Sequence, residues 1–215
     1  SRGVQSLVRT KTADDPFEGA ERIVEDYGIG PLKPNTIMLG HSEDPDHYER
    51  FCHLIQHLYE ARRNVVVLRG YGQDFGDRRQ IDVWWSGLKG NGGLMKILAY
   101  LLQTSVQWQN ANVRLNVVAA HEEEAEARRK TLGPVVEQLR TGADLNVILA
   151  EGRTFEELIH DVSASADIVF LGMATPDVEE DYVSYYTRLQ ERTEGPPPTV
   201  FVLAAEDISF REVLA

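Results

Sequence analysis

Seven short apolar runs, rich in β-branched residues, recur along the chain at 36–40, 65–70, 81–85, 113–119, 145–150, 168–173 and 200–204. Most are apolar throughout rather than alternating, which predicts strands buried on both faces. Between them the apolar positions fall at helical spacing. In 17–27 the stripe is Phe17, Ala20, Ile23, Val24 and Tyr27, with Pro16 at the start, where a missing N–H costs little. In 46–63 it is Tyr48, Phe51, Cys52, Ile55, Leu58 and Tyr59. Helices are also expected over 93–108, 122–140, 154–166 and 178–192. Thr154 with Glu157 forms a capping box, and Asp177 is the expected cap of the last helix. Alternating strands and helices predict an α/β fold with a mostly parallel sheet flanked by helices, Rossmann-like in its lobes. The join 71–80 is too short for a parallel crossover, so the strands on either side of it are antiparallel or not directly paired.

The run Ile81-Asp82-Val83-Trp84-Trp85 sets the strongest constraint. Neighbouring strand residues point to opposite faces, so Trp84 and Trp85 need cover on both sides and the strand should be central. Asp82 shares the face of Trp84, is expected to be partly buried, and must find donors there. A packing role is expected for all three residues.

Glycines mark several strand ends. Gly90-Asn91-Gly92-Gly93 opens a helix after the tryptophan strand, and backbone N–H groups at a helix start can hold an anion. Gly40, Gly92, Gly93 and Gly172 are therefore weak candidates for anion or nucleotide contact, with tight turns and close packing as the competing explanation. Neither phosphate-binding glycine motif is present. Near Gly172 the residues Asp177, Glu179, Glu180 and Asp181 would repel a triphosphate.

Other chemistry is thinner still. Glu49, His53, His57 and Glu60 line one polar helix face without a zinc-protease pattern, and His160-Asp161 after Glu156-Glu157 read as a solvated face. The lone cysteine, Cys52, lies in an apolar stripe, and there is no nucleophile elbow. The sequence thus predicts no catalytic residue, no metal site and no cofactor.

Composition narrows the partners. The 215 residues carry 22 Lys plus Arg against 34 Asp plus Glu, a net charge of −12. Such a surface repels phosphate backbones, which excludes nucleic acid as an expected partner. One cysteine allows no intrachain disulfide and fits a reducing compartment. No apolar run approaches the roughly 20 residues of a membrane span. The longest candidate, 94–102, is broken by Lys96, so this stretch is not expected to insert into a bilayer. The chain opens on Ser1 rather than Met, which reads as a fragment boundary.

Several words in order resemble the C-terminal cytoplasmic domain of the cation–chloride cotransporters, the family of Na-K-Cl, Na-Cl and K-Cl carriers. They are Gly3-Val4-Gln5-Ser6-Leu7, then Leu32-Lys33-Pro34-Asn35-Thr36 with Ile37-Met38-Leu39-Gly40, then Ile81–Trp85 with Gly92-Gly93-Leu94, Ala99-Tyr100-Leu101-Leu102 and Trp108. Val113–Val118, Phe155–Leu158, Ala166–Leu171 and Pro197-Pro198 follow in place. The resemblance implies two related α/β lobes, 1–80 as the remainder of the first and 81–215 as the second, with one continuous sheet as an option. It implies a regulatory and dimerisation domain on the cytoplasmic side of the plasma or inner membrane, attached to a membrane domain of the same polypeptide and forming a homodimer. The short 71–80 loop has no Ser or Thr where animal relatives carry phosphorylated inserts, which points to a prokaryotic relative. A nucleotide-binding sensor of the universal stress type is the alternative reading.

Overall fold

The computed structural model describes residues 8, 10–26, 28, 33–42, 44–70, 74–86, 90–138, 142–176, 181–195 and 197–206. The segment Gly3–Leu7 and residues Tyr27, Leu32, Tyr71, Arg140, Asp177, Glu179, Glu180 and Pro196 lie outside the described residues.

The elements run α1 (Pro16–Asp26), β1 (Thr36–Gly40), α2 (Tyr48–Glu60), β2 (Asn64–Arg69), β3 (Gln80–Trp84), α3 (Asn91–Gln103), β4 (Asn112–Ala119), α4 (Glu122–Gln138), β5 (Asp144–Leu149), α5 (Phe155–Val162), β6 (Ile168–Gly172), α6 (Tyr182–Arg192) and β7 (Thr199–Leu203). A single 3₁₀ turn, Pro45–His47, leads into α2. All seven apolar runs are strands. Several helices end earlier than their apolar periodicity suggests, whereas α6 ends at Arg192 as expected. α3 stops at Gln103, and Trp108 is buried from the turn that follows. The Thr154–Glu157 capping box opens α5 with both of its hydrogen bonds. α6 begins at Tyr182, capped by Asp181, whose carboxylate accepts from the Ser184 N–H at 3.0 Å.

The strands form one sheet in the order β1-β2-β7-β6-β3-β4-β5. β1 and β2 are parallel, β2 and β7 antiparallel, and every other pair is parallel. The short 71–80 join therefore links strands that are not neighbours, with β7 and β6 between them. The winding has a physical logic. The chain moves from β3 to β4 to β5 with α3 and α4 on one face, then returns through β6 to β7 with α5 and α6 on the other. Opposite directions on opposite faces keep every parallel crossover right-handed.

Alternation along the strands builds two cores. Val65, Val67, Trp84, Val169, Leu171, Phe201 and Leu203 face α2, α5 and α6. Val66, Ile81, Val83, Val113, Leu115, Val117, Phe170 and Val202 face α3 and α4. β3 is flanked by β6 and β4 and covered on both faces, which is why its Ile81, Val83 and Trp84 are almost wholly buried. No helix among the described residues is long and apolar enough to cross a membrane.

Candidate functional site

Open α/β sheets bind ligands in the crevice beyond the carboxyl ends of the strands, where the winding reverses. Here that point lies between β3 and β6. Asn91, the first residue of α3, projects into it and is 5% exposed. Its Nδ2 donates to the Met173 carbonyl beyond β6 at 2.7 Å, and its Oδ1 accepts from the Ala204 N–H beyond β7 at 2.7 Å. One amide thus ties the start of α3 to the ends of two strands. The glycines make room for this arrangement. A Cβ on Gly172 would come within 3.0 Å of Asn91 Nδ2, and one on Gly92 within 3.1 Å of the Trp85 ring. Gly93 lies beside Gly92 in the first turn of α3. Gly40 is elsewhere: β1 runs opposite to β6, so its carboxyl end is at the other edge of the sheet, with nothing within 4 Å of the space a Cβ would take. The four glycine candidates do not converge, and two of them serve packing by Asn91 and Trp85.

Trp85 leaves the strand toward the α3 side and carries Lys96 Nζ 4.6 Å above its ring. Burial lowers the Lys96 pKa. Trp84 enters the opposite core, where Phe155 meets it edge-on at 5.3 Å. Its Nε1 donates to Ser163 Oγ at 2.9 Å, and that hydroxyl donates to Asp82 Oδ2 at 2.7 Å.

Asp82 is fully buried, and its donors come from its own strand, from β4 and from the residue that ends α5. Arg114 on β4 binds it in a fork, Nε to Oδ1 at 3.0 Å and a terminal nitrogen to Oδ2 at 2.7 Å. Gln80 Nε2 donates to Oδ1 at 2.8 Å. Arg114 also donates to the Val162 carbonyl at the end of α5 at 2.7 Å. The carboxylate is saturated with donors and has no lone pair aimed at a crevice, which suits a clamp joining β3, β4 and α5 rather than acid–base chemistry. Arg114 and Ser163 are the residues that sequence reasoning missed here. A signal existed: Arg114 is the lone charge in an apolar strand, as Asp82 is in its own, and the two stand in direct register.

The opposite edge of the sheet holds an open cleft of about 730 Å³, lined in part by His41, Tyr48, Arg69, Gln190, Glu194 and Pro198. Arg69 ends β2 and donates to the Gln190 carbonyl at 3.2 Å, to Thr193 Oγ1 at 2.7 Å and to the Thr193 carbonyl. It thereby satisfies the orphan carbonyls of α6 and sets a positive charge at the negative end of that helix. Desolvation lowers its pKa. His41 Nδ1 lies 2.8 Å from Tyr186 Oη, and burial pushes the Tyr186 phenol well above its ordinary range. This wall is built from helix-capping and core contacts. Among the described residues there is no group of three or more His, Cys, Asp or Glu side chains that could hold a metal. His57 sits 3.5 Å from Glu25. Cys52 is buried, and that burial pushes its thiol up to about 12.

The model of Solute carrier family 12 matches residues 72–154, the block from the approach to β3 through β5 and the turn beyond it. Cation-chloride cotransporter 1 of Arabidopsis thaliana is 26% identical over 162 residues, covering 68% of this chain and 16% of its own length. Over these residues the chain is similar to the cation–chloride cotransporters. Potassium/chloride cotransporter 3 of Caenorhabditis elegans is 28% identical over 134 residues, 59% of this chain and 12% of the cotransporter. The chain therefore spans about a sixth or less of these cotransporters. A crystal structure of the cytoplasmic domain of a prokaryotic cation chloride cotransporter superposes with a TM-score of 0.64 at 17% identity, covering 92% of this chain and 73% of that one. The cotransporter-domain fold is thus shared along nearly the whole chain.

Proposed function

We propose that this chain is the cytoplasmic domain of a cation–chloride cotransporter. In this reading it works without catalysis, pairs with a copy of itself and biases transport of chloride with sodium or potassium by the membrane part of the same polypeptide. The observation that carries the reading is the content of the block similar to Solute carrier family 12. It contains the Asp82–Arg114 clamp and the Asn91 latch, residues whose hydrogen bonds all go to the fold itself. The net charge of −12 supports it too. An acidic domain stands off an anionic lipid surface rather than adhering to it.

Calorimetry separates this reading from a nucleotide sensor. ATP, ADP and AMP at millimolar concentration should give no saturable heat, because the crevice where the winding reverses is occupied by Asn91. Saturable binding in the micromolar range would favour the sensor instead.

A further inference from the structure

The sheet has two edges, and they differ. β1 is five residues long, is preceded by Lys33-Pro34 and ends on Gly40. Lysine, proline and shortness are the usual means of blunting an edge strand. β5, Asp144-Leu145-Asn146-Val147-Ile148-Leu149, has none of them; after Asp144 it carries no charge, no proline and no glycine. The Ala150 N–H donates to the Ala119 carbonyl at 2.9 Å, which fixes the direction of every backbone group in the strand. Even-numbered residues face β4. Leu145, Val147 and Leu149 turn their N–H and C=O groups outward. Among the described residues, the hydrogen bond that reaches this outer side is from the Arg153 guanidinium to the Leu149 carbonyl, at 3.3 Å.

We propose that two copies of this chain join through the outer edges of β5, as antiparallel strands related by a two-fold axis at Val147. This rests on the reading of the chain as a self-pairing domain and names the surface. The sequence of β5 is complementary to itself in that register. Val147 meets Val147 of the second copy, Leu145 meets Leu149, and Asn146 meets Ile148, so no like charges stand opposite each other within the strand. The flanks differ in sign: Asp144 enters the strand, and Arg153 follows it after the turn that carries Glu151. Antiparallel pairing brings each Asp144 to the Arg153 end of the other copy. Arg153 is an exposed side chain held by Asp161 at 3.2 Å and by the Leu149 carbonyl, and it can exchange the carbonyl for that carboxylate while keeping the Asp161 pair. The result is a sheet continuous across both copies, with all outward groups of Leu145, Val147 and Leu149 paired.

The test uses the 215-residue chain. Sedimentation should show a dimer, and Val147→Cys should give a covalent dimer on oxidation or with a short bis-maleimide. Facing residues in a hydrogen-bonded antiparallel pair stand about 5.5 Å apart at Cα, within the range a disulfide spans. Cys52 is too buried to contribute, and Met38→Cys on the β1 edge should not cross-link. Val147→Pro removes an outward N–H while leaving the β4 ladder intact. It should keep the folded circular-dichroism spectrum and raise the dimer dissociation constant at least about tenfold. A dimer that neither cross-links at position 147 nor weakens in Val147→Pro would overturn this surface and leave the self-pairing reading standing. A monomer at all concentrations would overturn the surface and count against self-pairing by the chain itself.

Discussion

Replacing Asp82 by alanine is expected to lower the unfolding free energy by about 3–5 kcal/mol, the usual cost of breaking a buried pair from one side. The carboxylate is wholly buried and Arg114 is 25% exposed, so the orphaned guanidinium has little water to fall back on. Ser163 and Gln80 lose their acceptor as well, and the Trp84 indole loses the chain of bonds that orients it. Urea denaturation should show a lower midpoint with an unchanged slope. Asp82→Asn should recover part of the loss, because one oxygen remains to accept. The double change Asp82→Leu with Arg114→Met should recover most of it, since removing both charges leaves neither unpaired. If Asp82→Ala were neutral while the double change was damaging, the pair would not be the clamp described above.

The second large effect is expected at Asn91. Asn91→Ala leaves the Met173 carbonyl and the Ala204 N–H without their partner at a buried junction, at a cost of about 2–4 kcal/mol for two orphaned groups. Asn91→Asp adds a pH signature. One oxygen can still accept from Ala204, but the other faces the Met173 carbonyl, so the protonated acid is the form that fits. The folded-state pKa of that acid is then raised above its unfolded value. Stability relative to the parent chain should be greatest at low pH and should fall as pH rises through the folded pKa. Unfolding midpoints of Asn91→Asp and the parent, measured in parallel across pH 4–8, check this. A difference that did not change with pH would mean that the amide does not bond as described.

Much of this architecture is legible in the chain because strands buried on both faces must be apolar throughout, and all seven runs are. Ile81–Trp85 also reveals its own centrality: two adjacent tryptophans need two cores, and Trp84 and Trp85 lie in different ones. The sheet order is less accessible. Nothing local to Val200–Leu203 says that this last strand lies between β2 and β6 and runs against β2. That follows from long-range packing and from the handedness of the crossovers. Helix ends are blurred for a similar reason. Trp108, beyond Gln103, packs from a turn, so periodicity alone extends α3 too far. The partners of Asp82 are 32 and 81 residues away, and only the matching lone charge at Arg114 hints at either. Asn91 is hidden among glycines that suggest an anion site, and only the fold shows that its amide occupies the space they provide.

In the proposed reading, transport by the polypeptide that joins this chain to a membrane part tests the central claim most directly. Reconstituted into liposomes, it should take up rubidium or sodium only when chloride is present and lose that uptake when gluconate replaces chloride. The destabilised Asp82→Ala variant of the same polypeptide should change the rate without changing the requirement for chloride. Cation uptake indifferent to chloride, or none with a well-folded protein, would contradict the assignment.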